Sequence, residues 1–285
     1  MDLAQEAQPW QRRSGPLQRL RLTSLKYLAI LRVSAANNLA YLPEIVFRTL
    51  FLIVLIYVIG QLWQTTFTLH NSAILRGFTV NSMIWYLAAA ETLATSLPAL
   101  TRRIDQEVRS GELAYLLGRP CSYLFYNYAH YLGERLVRLT INGTVAALVA
   151  LIYVGPPHFT WMGLAAWPLM VLLAISIEFL CYFGIGLLAF WTENTQSFSF
   201  IFSRLTLVLG GVLAPIEIFP QPLRTLAQIL PFSSMLYGPA RTLVQFETAS
   251  FVGLVWQQVI TLSVVSLLIL GLYRLATRRV SINGG

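Results

Sequence analysis

Residues 101–123 read TRRIDQEVRSGELAYLLGRPCSY, and they hold the one substantial charged island in an otherwise apolar chain. Arg102, Arg103, Asp105, Glu107, Arg109, Glu112 and Arg119 fall here, with Glu134 following on the next helix. A charge at the centre of a bilayer costs about 2.5 kcal/mol or more, so the island is expected to lie outside the hydrocarbon. Within it, 101–108 combines good helix formers with mixed charge. Ser110 and Gly111 break that helix, and 112–117 forms a second helical turn stopped by Gly118 and Pro120. A short helix pinned between membrane spans makes a handle for a soluble partner; the plain alternative is a solvated charged loop.

The rest of the chain explains why the island stands out. Of its 285 residues 56% are hydrophobic and 11% charged, against the roughly 25% charge of soluble domains. This composition predicts a polytopic membrane protein. The net charge of +8 does not point to nucleic acid, because the basic residues are scattered beside apolar spans, as the bias toward positive cytoplasmic loops requires. Cys121 and Cys181 fall at a predicted cytoplasmic edge and inside a span, which excludes a disulfide framework and a thiolate metal site. The first sixteen residues lack an apolar core of signal-peptide length, so the spans themselves are expected to direct insertion.

Read in order, residues 1–21 form a disordered cytoplasmic tail and 22–42 an amphipathic helix lying on the membrane. Its apolar face carries Leu22, Leu25, Ala29, Val33 and Ala36, with Lys26, Ser34, Asn37 and Asn38 turned away, and Pro43 ends it. Within 43–274, apolar runs predict six spans at about 45–63, 79–100, 136–154, 162–191, 198–214 and 251–273. The third continues an aromatic, amphipathic stretch over 122–138 and ends at Gly155. The connector before the fifth, TENTQS, is very short. Between the fifth and sixth, five prolines (Pro215, Pro220, Pro222, Pro231 and Pro239) cut the apolar stretch into helical pieces that dip back into the outer leaflet under protein cover. Residues 275–285 are a second cytoplasmic tail. With both termini inside, 17 of the 20 Lys and Arg residues lie on the inner side; only Arg76, Arg224 and Arg241 lie outside. This places 101–123 in the cytoplasm.

Two runs, RSGELAYLLGRPCSYLFYNYAHYLGERLVR over 109–138 and LAFWTENTQSFSFIFSRLTLVLGGVLAPIEIFPQPLRTLAQILPFSSMLYGPARTLV over 188–244, resemble the membrane subunits of ABC exporters of the ABC-type-2 permease class. The resemblance extends over about 26–273, and the two runs are similar to a bacterial subgroup with the same loop, the same proline-broken external segment and six spans. It implies a dimer of six-span subunits in the bacterial inner membrane, the second copy identical or related. Each would sit on a cytoplasmic ATP-binding cassette ATPase through an N-terminal interface helix and a coupling helix. By that resemblance Asp105, Glu107, Arg109, Gly111, Glu112 and Leu113 belong to the coupling element, and the cargo would be a lipid, a glycan or an amphipathic small molecule.

What the sequence lacks agrees. No phosphate loop of the form G-x-x-x-x-G-K-[ST] occurs, so the chain is expected to bind no cofactor and to leave ATP to its partner. His70, His130 and His158 are widely separated, without the i,i+4 spacing of metal ligands, and read as polar interface residues. No G-x-S-x-G element suggests hydrolysis, so no catalytic residue is assigned. Three charges fall within predicted spans: Glu91, Glu178 and Arg204. Such groups are functional candidates. Glu178 and Arg204 either pair to fix helix packing or line a substrate path, while Glu91, without an evident cationic mate, calls for protonation or a polar cavity. An ion-coupled secondary transporter using Glu91 and Glu178 is the alternative, opposed by the absence of an inverted repeat. A non-transporting membrane scaffold is the third.

Overall fold

The computed structural model describes residues 16–40, 42–71, 73–118 and 121–283, and among them the chain forms twelve α-helices. The expected tail at 1–15 and Arg119 lie outside the described residues. α1 (Pro16–Leu39) begins inside the tail predicted for 1–21 and ends before the predicted boundary at 42. α2 (Leu42–Leu69) carries Pro43 in its first turn, where the missing N–H leaves no bond unmade, so Pro43 opens this helix rather than closing α1. α3 (Val80–Thr95) opens on a capping box in which the Thr79 hydroxyl accepts from the Ser82 N–H and the Ser82 side chain accepts from the Thr79 N–H. It stops at Thr95, short of the expected 100. Leu97 precedes Pro98, whose ring disfavours helical geometry at the preceding residue.

The chain resumes as α4 (Leu100–Arg109) and α5 (Glu112–Leu117), divided where the island reading placed the break. Gly111 caps α5 at φ 75°, in the left-handed region that a Cβ disfavours. α6 (Tyr123–Val154) is one continuous helix, so the aromatic stretch and the third predicted span are a single element ending at Gly155. α7 (Trp161–Leu187) runs into a 3-10 turn at Leu188–Phe190. α8 (Thr195–Leu209) starts with the Asn194 side chain accepting from the Gln196 and Ser197 N–H groups. It ends before Gly210 and Gly211, five residues short of the predicted 214. α9 (Gln221–Ile229), α10 (Phe232–Met235) and α11 (Tyr237–Val244) are the proline-divided pieces. α12 (Thr248–Asn283) continues through the predicted cytoplasmic tail, because no Gly or Pro occurs between Tyr273 and Gly284.

Among the described residues four helices, α2, α6, α7 and α12, are long and apolar enough to cross a membrane. α3 and α8, with 16 and 15 residues, rise about 24 and 22 Å, less than the roughly 30 Å of hydrocarbon. α7 is the centre of the bundle: 67% of its most apolar window is buried, against 6% for α12. α4, α11 and α12 all pack on α7, and α11 also packs on α3. α10 and α11 therefore sit under protein cover, with Phe232, Met235, Pro239 and Ala240 buried.

α1 packs along α6, but not by its apolar face. Leu22, Leu25 and Val33 are exposed, whereas Ser34 and Asn38 are buried. The reason is at Gly133. The α1 backbone comes so near that a Cβ there would lie 2.4 Å from the Leu31 carbonyl oxygen. Only a small residue permits that approach, and it lets the Ser34 hydroxyl donate to the His130 carbonyl at 2.8 Å. The leucine face is left for other surroundings.

Candidate functional site

The charged island is built into the bundle rather than suspended from it. Ile104 of α4 lies against Gly186 of α7, where a Cβ would fall 2.8 Å from the Ile104 Cβ. The Thr101 hydroxyl donates to the Tyr182 carbonyl at 3.1 Å. On the other side of α4, Arg103 donates to Asn127 Oδ1 at 3.1 Å, contacts His130, and approaches Glu134 Oε1 at 3.6 Å. The Tyr123 hydroxyl donates to Glu107 Oε2. Tyr123 itself packs on Phe183 of α7 and stacks on Tyr273 of α12, so α4 is tied to the first turns of α6 and through Tyr123 to two more helices.

A third connection runs to the TENTQS connector. Asp105 accepts from Arg109 at 2.9 and 3.1 Å and from the Thr195 hydroxyl at 2.9 Å. Arg109 also donates to the carbonyls of Glu193 and, at 3.4 Å, Thr192. The Arg109 guanidinium holds the Asp105 carboxyl below the ordinary carboxylate range, against the opposing effect of burial and with help from Thr195. Burial pushes Glu107 the other way, upward, although the Tyr123 hydroxyl favours its ionised form. Of the other island residues, Leu113 is buried in the core with Leu116, whereas Gly111 and Glu112 are exposed. Leu113 thus anchors α5 rather than facing outward.

Behind the island, α6 presents a buried polar stripe: Asn127, Tyr131, Arg135, Arg138 and Asn142, spaced at the i,i+4 and i,i+3 steps that share a helix face. This stripe serves the broken end of α3, whose last carbonyls lack helical partners. Arg135 donates to the Leu93 carbonyl at 2.7 Å and Arg138 to that of Leu97 at 3.2 Å. Asn142 donates to Ser96 Oγ at 3.1 Å and accepts from the Thr49 hydroxyl at 2.8 Å. Arg135 and Arg138, read from the sequence as flanking positive charges, are caps of an interrupted helix.

The expected Glu178 and Arg204 pair is not formed. Glu178 is bound to Arg135 Nη2 at 2.7 Å and accepts from the Tyr131 hydroxyl at 3.2 Å, with side-chain exposures of 1% for Arg135 and 4% for Glu178. Arg204 is exposed, and its guanidinium lies over the Phe200 ring, 4.8 Å from the centroid. The sequence reading missed Arg135 because it placed the third span at 136–154. The spacing of Tyr131, Arg135, Arg138 and Asn142 was the available signal.

Glu91, Glu178 and Arg204 nevertheless share one hollow. A cavity of about 340 Å³ lies where α2, α3, α7 and α8 converge, and it is lined by all three together with Leu207, Leu213 and Leu236. Glu91 is 1% exposed, and its Oε1 has no hydrogen-bond partner among the described residues.

Compared with known proteins, residues 54–284 match a protein-family profile described as ABC-2 family transporter protein. The match covers α3 to α12 and the latter part of α2, including the island, the polar stripe and the cavity lining apart from Phe51. No curated protein matches the chain.

Proposed function

The chain belongs to the ABC-2 family of transporter proteins, and from that membership we propose that this ABC transporter permease is the membrane subunit of an exporter driven by a separate ATP-binding cassette ATPase. The family is a membrane component without the ATPase domain and implies such a partner. In this reading the chain crosses the plasma membrane of a bacterium six times, with both termini inside. α3 and α8 complete their crossings with the segments that follow them, and two subunits form the path. The cargo is a lipid, a glycan or an amphipathic small molecule.

The observation that carries the reading is the threefold attachment of α4. A helix bonded to the start of α6, packed on α7 and bonded to the α7–α8 connector converts a push from below into concerted movement of the bundle. A solvated loop needs none of these connections. Asp105, Glu107 and Arg109 belong to the inward attachment, Leu113 to the anchor, and Gly111 and Glu112 to the face offered to the ATPase. The ion-coupled alternative is weakened because Glu178, one of its two proton sites, is tied to Arg135.

The test is co-expression with the cognate ATPase. The purified chain alone is expected to turn over no ATP, and the complex to hydrolyse it. Glu112→Lys and Gly111→Pro are expected to loosen ATPase binding with membrane insertion intact. Full ATPase retention in both variants, together with loss of transport in Glu91→Gln alone, would instead favour the ion-coupled reading.

A further inference from the structure

We infer that the cavity at Glu91 is a binding site for the headgroup of a substrate bearing a protonated amine, an ammonium amphiphile. The inference rests on the transport reading and names the substrate class for it. Of the two carboxylates lining the cavity, Glu178 already holds Arg135 and Tyr131. Glu91 is the one left over, 1% exposed with Oε1 unpartnered among the described residues. The cation lining the same hollow, Arg204, is stacked on Phe200 instead. A buried carboxylate is costly unless a proton or a cation meets it, so the site favours a ligand that brings one.

The remaining lining defines the rest of the ligand. Leu55, Leu207, Leu213 and Leu236 face the 340 Å³ hollow, a volume suited to a small headgroup rather than a polymer. It adjoins a larger hollow of about 810 Å³ through shared residues, among them Phe51, Ala94 and Tyr182. The larger one is bordered by Phe47 of α2 and Phe200 of α8, both exposed. An ammonium at Glu91 would therefore leave its hydrocarbon body running out between α2 and α8. N–H donors reach carboxylate oxygens directly, so the amine is expected to surpass a neutral headgroup of the same chain length.

The experiment uses the complete permease with its ATPase in nanodiscs, and native mass spectrometry of bound dodecylamine, dodecanol and dodecyl sulfate. Dodecylamine, protonated at neutral pH as an alkylamine with a pKa of about 10.4, is expected to be retained at least tenfold better than the other two. Glu91→Gln should abolish that preference, Glu91→Asp should keep most of it, and Leu207→Trp should lower occupancy by filling the hollow. Melting temperatures of the variants establish that they are folded. Equal retention of amine and alcohol by the wild type, or an amine preference that survives Glu91→Gln, overturns the inference. If the complex assembles and hydrolyses ATP while the preference is absent, only the substrate class fails; if no ATPase binds, the transport reading fails with it.

Discussion

Arg135 illustrates how one buried cation can serve two purposes. It closes the open end of α3 at the Leu93 carbonyl and neutralises Glu178, but its Nε and Nη1 have no hydrogen-bond partners among the described residues. Removing one member of such a pair strands the other charge, at a cost of about 3–5 kcal/mol, whereas replacing both by apolar residues of similar volume is often tolerated. Arg135→Met and Glu178→Met are each expected to lower the thermal stability of the purified protein strongly. The double variant should lose less than their sum, and strict additivity would mean that the two are not coupled. Asp105 offers a pH test. Because its carboxyl titrates below the usual range, the contribution of its bonds to Arg109 and Thr195 is complete above the unfolded pKa and fades only as pH falls through the lower, folded one. Glu107, shifted upward, has the opposite sign and favours the fold as pH drops through the carboxylate range. Hydrogen exchange of α4 followed from neutral to acid pH should show late loss of protection in the wild type. Asp105→Asn removes that late loss and leaves only the gain in stability that Glu107 contributes as pH drops.

Among elements, α1 and α5 respond to substitution for different reasons. At Gly133 the obstacle is space: the Leu31 carbonyl oxygen lies 2.4 Å from where a Cβ would be, and it is backbone, so α1 must move away. Gly133→Val is expected to release α1 from α6 and open it to limited proteolysis, while the remaining helices keep their protection. At Gly111 space is free and conformation is the obstacle, since φ is 75° with nothing within 4 Å of an added Cβ. Gly111→Ala should therefore cost about 1–2 kcal/mol locally and loosen α5 without disturbing the core. Equal effects of Gly111→Ala and of Glu112→Ala, which places alanine at the neighbouring exposed helical position, would contradict that assignment.

For the molecule as a whole, the sequence disclosed what periodicity and punctuation govern. The division of α4 from α5 at Ser110 and Gly111, the end of α6 at Gly155 and the breaking of the 215–239 region all follow from Gly and Pro placement. The polar interior was harder to read. Hydropathy locates apolar runs but does not say that α3 breaks at Leu97 and Pro98, or that Arg135 and Arg138 fill the break from another helix. Partner choice is a three-dimensional fact: the sequence offered Arg204 for Glu178, and helix packing brought Arg135 to it instead. The tie from Asp105 to Thr195 spans 90 residues and left only the shortness of the connector as a clue.

The central claim, that the α4–α5 island receives an ATPase and passes its movement to the bundle, is tested most directly by photocrosslinking. A photoreactive residue is placed in turn at the exposed island positions Arg102, Gln106 and Glu112, and at exposed Ile229 at the end of α9 as a control. The complex with the co-expressed ATP-binding cassette ATPase is then irradiated in native membranes. The account predicts ATPase adducts from the island and none from Ile229. Adducts from Ile229 with none from the island, or no ATPase adduct anywhere, would contradict it.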